Sequence, residues 1–588
     1  MLKRIAAEIK EYKKASILTP ACMILEVIFE TVIPLLMTKI IDDGVGEATG
    51  VTNMTIVYVY GGIMIGLAVL ALISGLGGAF FGARASAGLA KNLRKAMNDK
   101  IQKYSFSNID KFSTSGLVTR LTTDVTNIQN AYQMLLRMCF RAPISLVFAM
   151  CAAFFINARL ASVYLVAVAF LSVFLFFLVK TAMKYFTQVF KKYDDLNATI
   201  QENVKGIRVV KAFVREEYEE DRMKKAAGNI YKMFVKAENV VILNWPVMSL
   251  TIYTCIMVIS YLGAKTVVAG ELTTGELMGL LTYCMAILMN LMMLSMIFVM
   301  MSMSIASAER ISEVLGEEPD ITNPENPVMD IADGSISFRD VEFTYNKDGN
   351  GDPVLKDIDL EIKSGETIGI IGGTGSSKST LVMMIPRLYD VTKGQVMVGG
   401  RDVREYDLTA LRKDVAMVLQ KNVLFSGTIF DNLRWGNKDA SDEECIEAAT
   451  LACANEFIEQ MPDGYNTVIA QGGTNVSGGQ RQRLCIARAL IAKPKILILD
   501  DSTSAVDTAT DAKIRNALME KIPNTTKIII AQRISSVEKA DRIIVMDDGK
   551  IVGVGTHDEL VASNDIYREV YESQTGANAD FDEVGKEA

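Results

Sequence analysis

The sequence predicts an α-helical membrane domain followed by a separate α/β domain. The chain has 588 residues, of which 50% are hydrophobic, and its mean hydropathy is +0.23. The hydrophobic residues form long runs before about residue 305 and are mixed with polar residues after it. This length exceeds that of an ordinary single domain, and long apolar runs are typical of membrane spans. The first part of the chain is therefore expected to lie in a lipid bilayer, and the second part in water.

Six apolar runs are candidate membrane helices, since a helix needs about 20 apolar residues to cross a hydrocarbon core of roughly 30 Å. They lie near residues 17–41, 56–83, 139–157, 160–180, 241–265 and 276–303. The segments between them alternate between short ones with almost no Lys or Arg and two long basic ones. The positive-inside rule places the long segments and both termini in the cytoplasm. We therefore expect six membrane helices with long cytoplasmic extensions.

Composition along the chain also predicts the domain boundaries. Residues 1–15 are basic and amphipathic, which is typical of an interfacial elbow helix ahead of the first span. The membrane domain is expected at 16–308, and the acidic, proline-containing stretch that follows predicts a linker at 309–334. An α/β domain is expected at 335–575. The polar, acidic residues 576–588 are expected to be disordered.

Charge and cysteine usage narrow the range of partners. The net charge of −8 argues against nucleic acid as a partner. The eight cysteines are scattered without a CxxC pair, as expected for reduced thiols. His557 is the single histidine of the sequence, which makes a histidine-based metal site implausible.

The α/β part contains a phosphate-binding loop in the segment ETIGIIGGTGSSKSTLVMMI. In a P-loop, backbone N–H groups cradle phosphates, a lysine reaches the β and γ phosphates, and a hydroxyl ligates Mg²⁺. Lys378 and Ser379 occupy the last two positions. Ser377 stands where the pattern has glycine, and its Cβ would crowd an approaching phosphate. The predicted nucleotide-binding residues of this loop are Gly372, Thr374, Gly375, Ser376, Ser377, Lys378, Ser379 and Thr380.

An apolar strand about 120 residues later, ILILDDSTSAVD, ends in two acids. Asp500 is expected to hold Mg²⁺. Asp501 follows at the position of a water-activating carboxylate, and it is one methylene shorter than glutamate. A misplacement of about 1 Å costs roughly a hundredfold in rate. The loop and these acids predict an α/β P-loop nucleotide-binding domain whose cofactors are ATP and Mg²⁺.

A third motif, NVSGGQRQRLCIARAL, lies between the other two. It predicts a helix that begins at Ser477, Gly478 and Gly479. Free N–H groups and the helix dipole attract anions at such a terminus.

Together these motifs resemble the ABC exporter family, in which six membrane helices precede a nucleotide-binding domain. The resemblance covers nearly the whole chain apart from the tail. VSGGQ resembles the signature motif, which implies that Gln480 also contacts nucleotide, and Ser504–Asp507 resembles the D-loop. The resemblance further implies that Gln420 is the Q-loop glutamine that senses Mg²⁺, and that Tyr345 stacks on adenine.

The departures from the family pattern concern catalysis. Asp501 replaces the catalytic glutamate and Gln532 replaces the switch histidine. Glutamine can donate a hydrogen bond to a γ-phosphate but cannot become cationic. General acid–base groups contribute about 10²–10⁴ in rate. With Ser377 in the loop, the sequence predicts a site that binds ATP and hydrolyses it slowly.

Family members assemble composite sites in which one chain's P-loop faces the other chain's signature. The chain therefore resembles the degenerate-site half of a heterodimeric bacterial multidrug exporter, placed in the cell membrane. The expected partners are an unlike half-transporter, membrane lipids and small amphipathic substrates. Three alternatives remain open: a lipid or peptide exporter, a homodimeric slow ATPase, and a mainly regulatory ATP-binding subunit.

Candidate substrate residues lie in the first and last spans. Glu26 and Glu30 share one face of a helix, where charge near the bilayer centre costs roughly 2.5–3.5 kcal/mol on insertion scales. They either attract cationic amphiphiles or pair with polar groups of another helix. The last span is rich in flexible methionines, represented by Met289, Met293 and Met296. These suit either varied apolar guests or a dry contact between helices.

Overall fold

The computed structural model describes residues 1–45, 52–346 and 351–584. The chain divides into two compact units. The first comprises Met1–Lys103 and Phe112–Glu317, and the second comprises Tyr104–Lys111 and the chain from Glu318 onward.

The described part of the first unit is built from long helices. Two π-helical turns, Ile40–Gly44 and Arg120–Asp124, interrupt them. The α-helices between residues 1 and 317 are α1 (Leu2–Ala7), α2 (Lys13–Lys39), α3 (Met54–Ile101), α4 (Phe106–Phe112), α5 (Thr114–Thr119), α6 (Val125–Ile156), α7 (Ala158–Ala212), α8 (Glu216–Val241), α9 (Asn244–Val268) and α10 (Thr274–Gly316).

Six helical stretches among the described residues are long and apolar enough to cross a membrane, which confirms the predicted number. The helices also extend well beyond the apolar runs. At 1.5 Å per residue, the 55 residues of α7 span about 80 Å, far more than a hydrocarbon core of roughly 30 Å. The predicted architecture of membrane helices with long extensions is therefore confirmed.

Side-chain hydrogen bonds join helices in the core of the first unit. The buried Tyr164 of α7 donates its hydroxyl proton to the Leu280 carbonyl of α10 at 2.7 Å. Asn290 of α10 donates to the Ser145 hydroxyl of α6 at 2.8 Å. Such bonds hold helices together where lipid offers no competing partner.

The described part of the second unit contains two main sheets. The strands are β1 (Ile336–Phe343), β2 (Leu355–Ile362), β3 (Thr367–Gly372), β4 (Lys393–Val398), β5 (Arg401–Asp402), β6 (Val415–Val418), β7 (Gly427–Thr428), β8 (Val468–Ile469), β9 (Ile496–Asp500), β10 (Thr526–Ile530), β11 (Arg542–Asp547) and β12 (Lys550–Gly555). One sheet has the order β12-β11-β3-β10-β9-β6, and only its β11–β12 pair is antiparallel. A smaller antiparallel sheet has the order β2-β1-β4-β5, and β7 pairs with β8. The central parallel strands are almost fully buried, as expected for a sheet covered on both faces.

Helices α11 (Lys378–Met383), α12 (Leu408–Asp414), α13 (Ile429–Leu433), α14 (Asp442–Leu451), α15 (Asn455–Ile458), α16 (Gly478–Ile491), α17 (Thr508–Lys521), α18 (His557–Ser563) and α19 (Asp565–Val584) complete this unit. The sequence predicts a disordered tail at 576–588, whereas the described backbone is helical to residue 584, where α19 ends. Its first turns pack Tyr567, Val570 and Tyr571 on the domain core, and a packed turn lets a helix propagate beyond it. Residues 585–588 lie outside the described part of the chain.

The segment Tyr104–Lys111 belongs to the second unit although it falls within the predicted membrane domain. Tyr389 donates its hydroxyl proton to Asp110 at 2.7 Å, and its ring lies 6.1 Å from that of Phe106. Ser107 donates to Asp320 at 2.6 Å. These contacts join residues more than 200 positions apart, so local composition could not reveal them.

Candidate functional site

The P-loop connects β3 to α11 in the centre of the six-stranded sheet. The Lys378 ammonium donates to the carbonyl oxygens of Gly372 (2.9 Å) and Gly373 (2.8 Å). Burial lowers the pKa of Lys378, and the neighbouring acids partly oppose that shift. A Cβ on Gly372 would lie 2.1 Å from the Met546 carbonyl oxygen, so this position requires glycine. The loop thus holds the partly desolvated Lys378 ammonium at the position where the sequence predicts a bound phosphate.

Ser377 adopts a left-handed backbone conformation, with φ 70° and ψ 21°, at the N-terminus of α11. A residue with a Cβ costs roughly 1–2 kcal/mol there relative to the right-handed region, whereas glycine has no such penalty. The structure therefore gives a backbone reason for the glycine that the P-loop pattern has at this position.

The two acids lie beside the loop at the carboxyl end of β9. Ser379 donates its hydroxyl proton to Asp500 at 2.9 Å, so two of the three predicted Mg²⁺ residues, the third being Gln420, are in direct contact. Asp500 is almost fully buried, and this burial raises its pKa, with the hydrogen bond from Ser379 acting in the opposite direction. A hydroxyl and a carboxylate are the oxygen ligands that Mg²⁺ prefers.

The Asp501 carboxylate is held by glutamine amides. Gln532 donates to it at 2.8 Å, and Gln420 also hydrogen-bonds to it. Burial raises the pKa of Asp501, while both amides lower it. Asp501 itself has φ 45°, and its N–H donates to the Ile530 carbonyl at 3.0 Å. The replacements predicted from sequence therefore form one hydrogen-bonded group.

These residues surround one cleft with a volume of about 390 Å³. Ser376 instead packs inside the loop, where its hydroxyl donates to the Gly373 carbonyl at 2.8 Å. Sequence reasoning missed Val354 and Ile530, which carry no motif and reach the cleft only through the fold. The lining residues are Val354, Gly372, Thr374, Gly375, Ser377, Lys378, Ser379, Thr380, Gln420, Asp500, Asp501, Ile530 and Gln532.

Tyr345 follows β1 and is half exposed beside the P-loop helix. Its hydroxyl lies 3.0 Å from that of Thr380. Its ring packs edge-on against Phe343 and Tyr389, with centroids 4.8 and 5.3 Å away. The aromatic ring is thus held next to the P-loop helix, and its contact with adenine stays a prediction.

The VSGGQ motif forms the N-terminus of α16, as predicted. Ser477 caps the helix: it accepts from the Gln480 N–H at 3.2 Å, and its own N–H donates to the Gln480 side chain at 2.9 Å. Among the described residues lining the cleft, none belongs to this motif. The signature motif of this chain therefore does not line the chain's own P-loop cleft.

Sequence reasoning also missed Gln482 on the same helix. Its side-chain oxygen accepts from the Ala505 N–H at 2.9 Å, and its amide donates to the Ser504 hydroxyl at 3.2 Å. Both partners lie in the D-loop segment. The signal in the sequence was the helical period, which places residue 482 on the same face of the helix as Gly478 of the VSGGQ motif.

The structure pairs the membrane glutamates with an arginine that sequence reasoning did not include. Arg141 of α6 donates to both carboxylate oxygens of Glu30 at 2.9 and 3.0 Å, and lies 3.5 Å from Glu26. This geometry agrees with the alternative in which the acids pair with another helix. On α10, Met289 and Met296 are exposed and Met293 is partly buried.

Two family models match the chain: the ABC transporter transmembrane region over residues 16–292, and the ABC transporter domain over residues 355–504. The chain is 36% identical over 575 residues to the uncharacterized ABC transporter ATP-binding protein YfiB of Bacillus subtilis, covering 98% of this chain and 99% of the relative. It is 32% identical to the ATP-dependent lipid A-core flippase of Syntrophus aciditrophicus, covering 85% and 82%.

The fold also matches a solved structure of a bacterial Atm1-family ABC exporter with ATP bound. The TM-score is 0.79 at 24% identity, over 95% of this chain and 98% of the other. Fold, motifs and relatives agree over almost the full length. The chain therefore belongs to the ABC transporter family, as a half-transporter that fuses one membrane domain to one ATP-hydrolysing nucleotide-binding domain.

Proposed function

We propose that this chain is the degenerate-site subunit of a heterodimeric exporter that moves hydrophobic or amphipathic compounds across a bacterial cell membrane. The observation that carries the proposal is the Asp501–Gln532 pair at 2.8 Å. A shortened carboxylate and a neutral amide occupy the positions where the family pattern has glutamate and histidine.

The chemistry of this pair supports slow hydrolysis. A general base must accept a proton from water, and its reach decides whether that water stands in line with the phosphate. The Asp501 side chain is one methylene short, and the Gln532 amide already uses one of its oxygens. Gln532 cannot carry the positive charge that a histidine would offer to the developing phosphate charge.

The rest of the cleft supports nucleotide binding. Lys378 supplies a cation for the β and γ phosphates, and Ser379 with Asp500 supplies oxygen ligands for a metal. Mg²⁺, when bound, would neutralise phosphate charge during transfer. Tyr345 would stack on adenine. Apart from Ser377, the binding residues thus follow the family pattern, while those that activate water are weakened.

The position of the signature motif supports a composite site with a second subunit, and the weakened water-activating pair favours an unlike one. ABC exporters act as dimers, and VSGGQ lies outside this chain's own cleft. In a composite site it would complete the nucleotide site of the other subunit. A partner with glutamate and histidine at the matching positions would hydrolyse ATP there, while ATP held at this chain's site would keep the two domains together.

The test compares the two sites of the purified assembly by ATP turnover. Asp501→Ala in this chain should reduce turnover much less than loss of the partner's catalytic glutamate. Restoring the family pattern with Asp501→Glu and Gln532→His together should raise hydrolysis at this chain's site, up to the roughly 10²–10⁴-fold that acid–base groups contribute. Equal losses at both sites, or full activity of the chain with itself, would contradict the asymmetry.

A second candidate is lipid transport, because several relatives at 31–32% identity are lipid A-core flippases. Arg141 places a guanidinium among apolar helices, and guanidinium groups bind phosphates in bidentate fashion.

Two probes distinguish these candidates: export of a cationic dye, and flipping of a fluorescent phospholipid in vesicles. Glu26→Gln and Glu30→Gln should weaken dye export if the acids recognise cations. Arg141→Gln should weaken flipping if the arginine recognises a headgroup. Unchanged affinity and pH profile for the dye in both glutamate variants would exclude a role for the acids in cation recognition.

A further inference from the structure

The contact between the signature helix and the D-loop is closer than packing alone requires. A Cβ on Gly479 would lie 2.8 Å from the Ala505 carbonyl oxygen, and one on Gly478 would lie 3.3 Å from the Ala505 Cβ. The two glycines therefore let the D-loop backbone lie directly on the first turn of α16. The signature motif, which in a composite site would contact the other subunit's nucleotide, therefore packs against the D-loop segment that follows Asp501 in this chain.

Gln482 converts this contact into a directed chain of hydrogen bonds. The residue is 6% exposed, so both polar ends of its side chain need partners within the protein. The amide N–H donates to the Ser504 hydroxyl at 3.2 Å, and that hydroxyl donates to the Asp501 carbonyl at 3.1 Å. The Gln482 oxygen meanwhile holds the Ala505 N–H at 2.9 Å.

The chain of bonds ends on a residue in a demanding conformation. Asp501 has φ 45°, in the left-handed region that residues with a Cβ rarely adopt. Its N–H is tied to Ile530 at 3.0 Å, and its carbonyl accepts from Ser504. Both backbone partners therefore help to set where the Asp501 carboxylate points.

We propose that Gln482 is a positioning residue that couples this chain's signature motif to its own nucleotide site, through Ser504 and the Asp501 backbone. A shift of Asp501 on nucleotide binding would move Ser504 and Ala505, and with them the first turn of α16. The proposal rests on the composite sites of the proposed function, because the signature must serve a nucleotide other than the chain's own.

Gln482→Glu is the discriminating variant. A carboxylate keeps the helix packing and still accepts from the Ala505 N–H, but it has no proton to donate. The Ser504 hydroxyl has one proton, which it can donate to the new carboxylate or to the Asp501 carbonyl but not to both. In either case one hydrogen bond of the chain is lost. Ser504→Ala cuts it at an exposed loop position, where folding is not at risk. Gln460→Glu makes the same chemical change at an exposed position and serves as the matched control.

The experiment is a double-mutant cycle on the full chain, in the assembly it forms, with steady-state ATP turnover as the readout. Each single variant should lower kcat by about 3- to 10-fold, the range that loss of one hydrogen bond supports. KM for ATP should change far less, because the P-loop is intact. The double variant should match the slower single variant, and Gln460→Glu should behave as the unmodified protein.

Multiplying effects in the double variant would overturn the proposal, and so would a KM that rises in step with the fall in kcat. An unaffected kcat in Ser504→Ala would also overturn it. The cycle can be read on a homodimer as well as a heterodimer. A homodimeric assembly would therefore contradict the unlike partner alone, and multiplying effects would contradict the coupling alone.

Discussion

Replacing either member of the Asp124–Arg310 ion pair in the membrane unit should destabilise the protein by unequal amounts. The Asp124 side chain is 1% exposed, whereas that of Arg310 is 45% exposed. Arg310 donates to both carboxylate oxygens, with its Nε at 2.7 Å, and the Ser307 hydroxyl adds a bond at 2.9 Å. The carboxylate is thus the buried partner, and the guanidinium partly reaches solvent.

The magnitudes follow from that difference in burial. Arg310→Met leaves a buried carboxylate with one hydroxyl donor, and breaking a buried pair in this way costs about 3–5 kcal/mol. Asp124→Asn leaves a guanidinium that water can still solvate, and the new amide oxygen can still accept a bond. Its cost should be lower, about 1.5–3 kcal/mol, which is the range for losing a hydrogen bond between charged groups.

The assay is thermal unfolding of the detergent-solubilised protein, compared among the variants. Lys211→Met is the control, because it breaks the exposed pair with Glu216, and exposed pairs contribute only about 0–1 kcal/mol. The expected order of loss is Arg310→Met, then Asp124→Asn, then Lys211→Met. An Asp124→Asn variant as unstable as Arg310→Met would refute the argument from burial.

Three further predictions concern the nucleotide domain. Ser377→Gly should raise its free energy of unfolding by about 0.5–1 kcal/mol. The relief of the left-handed backbone conformation exceeds the cost of the greater conformational freedom that glycine gives the unfolded chain. A lowered melting temperature would contradict this. Gly479→Ala should reduce ATP turnover more than Gly478→Ala, because its Cβ meets a D-loop carbonyl at 2.8 Å rather than a methyl group at 3.3 Å; the reverse order in a turnover assay would count against it. Burial raises the pKa values of Asp500 and Asp501, so protons compete with Mg²⁺ at a higher pH than for a free aspartate. Mg²⁺ affinity in an ATP-binding titration should therefore fall as the pH drops from 7 toward 5, and a flat profile would contradict the shift. Without Mg²⁺, the stability that protonation contributes is present at low pH and is lost as the pH rises through the folded-state values.

The sequence by itself determined the parts whose chemistry is local. A P-loop is a strand, a tight turn and a helix start in consecutive residues, so Lys378 and Ser379 could be assigned without a fold. Membrane spans follow from runs of apolar residues of fixed length, and VSGGQ is a local helix start. The substitutions at Asp501 and Gln532 were also visible, because each lies within a recognisable motif.

Only the tertiary structure decided which distant residues meet. It placed Gln532 on Asp501, 31 positions away, Gln482 on Ser504, and Arg141 on the membrane glutamates. It also grouped Tyr104–Lys111 with the second unit. The physical reason is that periodicity and composition indicate the solvent exposure and backbone conformation of each residue by itself. A hydrogen bond or ion pair depends instead on two side chains, which meet only when the chain has folded.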